Sequence, residues 1–227
     1  MHIPDGFLDP GVAAATGVVA GGAVAIGLRR AEATFDERRA PLLGVTAAFV
    51  FAAQMLNFPV AGGTSGHFLG AALATILLGP WLACLVLAVV LLVQAFLFAD
   101  GGVSALGANV LNMGVIGALG AGLVMGVAMR VLPRTRRAFL GSAAAAAWLA
   151  VVAGSVACSF ELAISGTVPL GTVLPAMVGV HALIGVGEAV VTVAAVSAVL
   201  AVRPDLIAGA PPEVARATVA PPAEVTA

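Results

Sequence analysis

Apolar residues run along this chain in long, nearly unbroken stretches, punctuated by polar residues at only a few places. A helix needs about 20 apolar residues to cross the hydrocarbon core of a bilayer. The pattern predicts seven such helices: Pro10–Leu28, Pro41–Asn57, Phe68–Leu78, Trp81–Phe98, Ala108–Val131, Phe139–Ile164 and Gly171–Val202. The third is short and stops at Gly79-Pro80, so it is expected to be tilted, partial or re-entrant. Small residues recur every fourth position at Ala13, Gly17, Gly21 and Ala25, and again at Gly114, Ala118, Gly122 and Gly126. That spacing permits close helix–helix approach; packing within the bundle is its first reading, and a docking face for another membrane subunit its second. The expected fold class is therefore all-α, a polytopic membrane helical bundle of seven transmembrane helices. Residues 1–203 form the membrane domain, and 204–227 are expected to be a Pro/Ala-rich disordered cytoplasmic tail.

Composition agrees. Of 227 residues, 61% are hydrophobic and 9% charged, where a soluble domain carries about 25% charged residues. Lysine is absent, so no phosphate-binding Gly-x-x-x-x-Gly-Lys-[Ser/Thr] motif exists and the chain is not its own ATPase. A net charge of −1 leaves no footprint for nucleic acid. Cys84 and Cys158 sit inside apolar runs and read as small core hydrophobes. The arginines set the orientation: Arg29, Arg30, Arg38 and Arg39 follow the first stretch, Arg130, Arg134, Arg136 and Arg137 the fifth, and Arg203 the seventh. With seven crossings all three groups share one side. The positive side is cytoplasmic, which places the amino terminus outside and the carboxyl terminus inside the cell membrane.

Polar side chains within spans are costly and point to function. On this topology Gln54, Asn57, Gln94, Asn109, Asn112 and Glu161 all gather in the outer half, the half that receives Met1 and His2. A free amino terminus followed by His2 is a chelator in itself. The Met1 amine, the deprotonated His2 amide nitrogen and the His2 Nδ1 close a five- and a six-membered ring around one ion. Three nitrogens near one plane suit Ni²⁺ or Cu²⁺, with Co²⁺ also compatible. A planar four-nitrogen site lacks one donor, and topology makes His67 the nearest candidate. It follows the loop Phe58–Gly66, whose Gly62-Gly63-Thr64-Ser65-Gly66 can fold tightly against a second backbone. Thr64, Ser65, Asn57 and Gln54 are candidates to orient His67 and cap the loop, with plain inter-helix hydrogen bonding as the competing reading. Deeper in the last stretch, His181 and Glu188 lie seven residues apart on roughly one face, as a relay, a conformational lock or a structural pair.

Four segments carry a resemblance. Met1-His2-Ile3-Pro4-Asp5-Gly6-Phe7-Leu8, Ala53-Gln54-Met55-Leu56-Asn57-Phe58-Pro59, Gly62-Gly63-Thr64-Ser65-Gly66-His67 and Gly107-Ala108-Asn109-Val110-Leu111-Asn112-Met113-Gly114 resemble the substrate-capture subunit of energy-coupling-factor cobalt/nickel transporters. The resemblance covers roughly residues 1–200. It implies capture of Ni²⁺ or Co²⁺ from outside through Met1, His2 and His67, as a transported ligand with no cofactor. It also implies an N-terminal segment inserted toward the bundle centre. The implied partners are a transmembrane coupling subunit, cytoplasmic ATPase subunits and a small accessory membrane subunit, this last a separate chain or absent.

A rival comes from another class. Gly63-Thr64-Ser65-Gly66 also resembles the Gly-x-Ser-Gly of rhomboid-type intramembrane serine proteases, with His181 as base for Ser65. Against it, rhomboids start from the cytoplasm, and their late helix has two residues between His and Gly where His181-x-x-x-Gly185 has three. The protease also leaves Met1, His2 and His67 without a role.

Overall fold

The computed structural model describes residues 1–34 and 36–216. Each of the seven expected stretches contains a helix. In chain order these are α1 (Pro10–Thr34), α2 (Ala40–Gln54), α3 (Ala71–Leu78), α4 (Pro80–Phe98), α5 (Leu106–Asn109), which runs through a π-helical segment (Val110–Leu119) into α6 (Gly120–Val131), then α7 (Arg136–Ile164) and α8 (Leu170–Val202). Five of these continuous helices are long and apolar enough to cross a membrane; α2 is shorter, and α3 shorter still. Between α2 and α3 a two-stranded antiparallel ribbon pairs β1 (Phe58–Pro59) with β2 (Ser65–Gly66), Phe58 opposite Gly66.

Length and solvation explain the differences from expectation. Helix α1 continues past Leu28 to Thr34, and within that extension the Arg30 guanidinium lies 4.7 Å above the Trp81 ring. Gly79 at φ 85° breaks α3 from α4, and every residue of α3 is buried. Past α8, the region expected as a disordered tail begins with packed structure instead. Pro204–Leu206 form a 3₁₀ turn, Pro212–Arg216 form the short helix α9, and Ile207 and Val214 are buried. Its remainder, residues 217–227, lies outside the described residues.

The bundle is apolar outward and partly polar inward. Val18, Leu97, Leu123, Ile164 and Leu183, one from each long helix, are among the most exposed large hydrophobics, while Gln54, Gln94, Asn112, His181 and Glu188 are wholly or almost wholly buried. That inversion is what a lipid solvent selects, since each intramembrane polar group must find its partner inside. Small residues do the close packing: a Cβ on Gly107 would stand 2.4 Å from the Gly17 Cα, and one on Gly122 would meet Pro80 at 2.7 Å. The longest contact joins α7 to α8, where Trp148 Nε1 donates to the Ala182 carbonyl at 3.0 Å across a gap left by Gly185.

Candidate metal centre

The first three residues are buried, at 0% exposure for Met1 and Ile3 and 3% for His2. An extended segment so placed has main-chain groups that must be paired, and three loops pair them. Asn109 reads Ile3 from both sides: Oδ1 accepts the Ile3 N–H at 2.8 Å, and Nδ2 donates to the Ile3 carbonyl at 3.1 Å. Gly102 N–H donates to that same carbonyl at 2.8 Å. The Asp5 carboxylate accepts from Ser104 N at 2.7 Å and Ser104 Oγ at 2.6 Å.

Ser65 receives the terminus itself. The Met1 amine donates to the Ser65 carbonyl, and the amine and the His2 amide N–H each donate to Ser65 Oγ at 3.1 Å. One hydroxyl therefore gathers two of the expected donor nitrogens. The fold of the ribbon makes this possible: Gly62 turns at φ 75°, a conformation glycine adopts without strain, and Val60 N–H bonds the Thr64 carbonyl at 2.9 Å. The His2 and His67 rings then stand 4.4 Å apart, centroid to centroid. His67 Nδ1 donates to the Phe68 carbonyl at 2.8 Å, which leaves its Nε2 lone pair buried and without a partner. Both ring nitrogens of His2 are likewise buried without a hydrogen bond.

Electrostatically the cluster is ready to donate lone pairs. Burial pushes the Met1 amine down to about 5. Burial, then the neighbouring terminal charge, lowers His2 to about 3. Burial, the terminus and His2 together hold His67 well below the ordinary imidazole value. All three are neutral at pH 7, and metal ligation needs neutral nitrogen. Among the described residues no group of three or more His, Cys, Asp or Glu side chains could hold a metal. Any site here must recruit main-chain nitrogens alongside its two imidazoles.

The residues expected to support the loop divide in their roles. Ser65 touches the terminus directly. Gln54 Nε2 donates to the Leu69 carbonyl at 2.8 Å, two residues past His67. Asn57 Nδ2 donates at 3.0 Å to Asp100 Oδ2, and that same oxygen faces His2 Nε2 at 3.8 Å. Thr64 reaches sulfur instead: its hydroxyl lies 3.8 Å from Cys158 Sγ and 3.9 Å from Met177 Sδ. A cavity of about 320 Å³ opens beside them, lined by His2, Asn57, Thr64, Ser65 and Asp100 among others.

Sequence reasoning missed Asp100, and it named Asn109 without its partner. His181 and Glu188 share a face but bond different groups. His181 Nδ1 bonds the Met177 carbonyl at 2.7 Å, while Glu188 accepts from Leu69 N at 2.8 Å and Gly70 N at 2.6 Å, clamping the segment after His67. The Ser65 hydroxyl is engaged with Met1 and His2, not His181, so the protease pairing has no support.

Known proteins resemble this chain over most of its length. Residues 2–206 match the family model described as the cobalt uptake substrate-specific transmembrane region, CbiM. The chain is 42% identical over 212 residues to a Haloquadratum walsbyi protein named for metal transport, covering 91% of this chain and 93% of that one. It is 36% identical over 222 residues to the fused nickel transport protein NikMN of Rhodobacter capsulatus, covering 92% of this chain and 64% of that one. Among solved structures it resembles a truncated transition metal transporter, with a TM-score of 0.82 and 31% identity over 88% of this chain and 98% of that one.

Proposed function

The chain belongs to the CbiM family of cobalt uptake substrate-specific transmembrane regions, and from that premise we propose that it captures Ni²⁺ or Co²⁺ outside the cell and admits it as the specificity subunit of a transporter. It is a transporter component and not an enzyme; the metal is substrate, not cofactor. The observation that carries this reading is the convergence at Ser65 Oγ of the Met1 amine and His2 amide, with the His67 ring tilted against that of His2.

In this proposal Met1 N, the His2 amide nitrogen, His2 Nδ1 and His67 Nε2 form a planar four-nitrogen site. As the ion binds, the His2 amide proton is displaced to solvent, and Ser65 gives up its bond to that nitrogen. Planar nitrogen coordination favours Ni²⁺ and Co²⁺ over Mg²⁺, Ca²⁺ and Mn²⁺, which want more ligands and oxygen. The membrane domain of residues 1–203 crosses seven times, amino terminus outside, with the opening segment reaching toward the centre of the bundle and the residues after 203 on the cytoplasmic side. Having no phosphate-binding loop, the chain draws the work of release from partners: a transmembrane coupling subunit and cytoplasmic ATPases, with a small accessory membrane subunit as a separate chain or absent.

The test is to add one residue before Met1. The extended terminus keeps nitrogens enough for a chelate of its own, but the added residue meets a wall that leaves Met1 no exposure, so the seat beside His67 is lost. Ni²⁺ uptake should vanish while the helical content stays; unimpaired uptake refutes the site. His67→Ala should weaken binding and keep the fold, and equal affinity in that variant removes the fourth ligand.

A further inference from the structure

We propose that Asp100 is the positioning residue that sets the tautomer of His2, so that Nδ1 and not Nε2 is presented to the metal. The inference rests on the chelate reading above and adds a residue to it.

The chemistry of the ring requires such a group. A six-membered chelate through the His2 amide closes only through Nδ1, and a neutral imidazole that binds metal through Nδ1 carries its proton on Nε2. That N–H is buried here, and a buried donor without an acceptor costs free energy. Asp100 Oδ2 faces His2 Nε2 at 3.8 Å, a gap that a small rotation of the ring closes to hydrogen-bond length. Asn57 Nδ2 holds the same carboxylate oxygen from the other side at 3.0 Å. The backbone is bent to put it there. Ala99 caps α4 in the left-handed region at φ 52°, the one non-glycine residue with positive φ among those described. A side chain in that region is uncommon and persists where the surroundings hold it. Gly101 follows at φ 91°; a Cβ there would stand 3.2 Å from His2 Nδ1, so the space in front of the donor nitrogen is kept clear.

Charge points the same way. A divalent ion with one deprotonated amide leaves the complex at +1, and the Asp100 carboxylate brings the buried assembly to neutrality. The other two histidines take the opposite tautomer. His67 Nδ1 bonds the Phe68 carbonyl and His181 Nδ1 bonds the Met177 carbonyl, which fixes the proton on Nδ1 in both. His2 should be the exception among the three histidines of the chain.

That contrast is measurable. In ¹⁵N-histidine-labelled full-length protein in detergent, the metal-free wild type should show His2 protonated on Nε2, with His67 and His181 protonated on Nδ1 as internal references. Asp100→Ala should shift His2 away from the Nε2–H form and weaken Ni²⁺ binding about 10- to 100-fold, the range seen when such outer partners are removed. Asp100→Asn, which keeps an acceptor oxygen and loses the charge, should hold the tautomer and bind with intermediate affinity. It decides the matter if the alanine variant does not fold. Asp100→Glu should recover binding. His2 protonated on Nδ1 in the wild type, or an unchanged tautomer and affinity in Asp100→Ala, overturns the role of Asp100 alone. A wild-type protein that binds no Ni²⁺ overturns the chelate reading, and this inference with it.

Discussion

Replacing Gly102 by alanine probes how strongly affinity depends on the seating of the first five residues. A Cβ at this position would lie 2.3 Å from the Asp5 nitrogen, 2.6 Å from the Pro4 carbonyl carbon and 2.7 Å from Asp5 Oδ1. Two of those atoms are main chain and cannot rotate aside, so the opening segment must retreat. Retreat strains or breaks the Gly102 N–H bond to the Ile3 carbonyl, 2.8 Å long. Overpacking costs about 1–3 kcal/mol and a lost hydrogen bond about 1 kcal/mol. At 1.4 kcal/mol per decade, the sum of about 2–4 kcal/mol lowers Ni²⁺ affinity roughly thirty- to several-hundredfold. Calorimetric titration of the purified protein with Ni²⁺ reads the effect, with Gly141→Ala as control. Gly141 sits in α7 with no heavy atom within 4 Å of an added Cβ, so alanine there should be neutral or stabilise by about 0.5–1 kcal/mol. Affinity within twofold of wild type in Gly102→Ala would refute the premise that the segment's seat governs binding.

Acid should undock the terminus. The amine falls from 8.0 to about 5 and His2 from 6.5 to about 3 on burial, so the undocked segment binds more protons than the docked one between those values. Docking therefore strengthens as pH rises through about 5 to 8 for the amine and 3 to 6.5 for the imidazole. Aminopeptidase susceptibility should increase on acidification from pH 8 towards 5, and a flat profile would contradict the burial of these groups. Glu188→Ala leaves the Leu69 and Gly70 N–H groups buried without an acceptor, at about 1–3 kcal/mol each. It should lower Ni²⁺ affinity with little change in circular dichroism, and Glu188→Gln, which keeps one acceptor, should recover part of the loss.

The five long helices were legible because lipid writes them as long apolar runs, whereas α2 and α3, expected as spans, are shorter. The third shows the limit. Ala71–Leu78 is apolar but for Thr75 because every residue in it is buried by protein, and periodicity does not distinguish that from burial by lipid. The proposed donors came from local chemistry, the chelating power of a terminus and His2, and the structure brings the His2 and His67 rings together. Their support was not. Asn109 meets Ile3 across 106 positions and Glu188 meets Leu69 across 119, and no spacing rule connects positions so far apart. Asp100 falls outside every span, where an acidic residue after a helix reads as solvated. Only the three-dimensional turn at Ala99 and Gly101 carries it back to His2.

The buried amino end also sets an order of events in the cell. Its first residues touch Ser65, Asn109 and Cys158, groups that lie 64, 106 and 157 positions later in the chain. At about 5–20 residues per second, roughly 8–30 seconds of translation separate the emergence of that end from the completion of its socket. Throughout that interval the groups that pair this end in the folded chain are not yet all made. What is made first is thus the last to find its place.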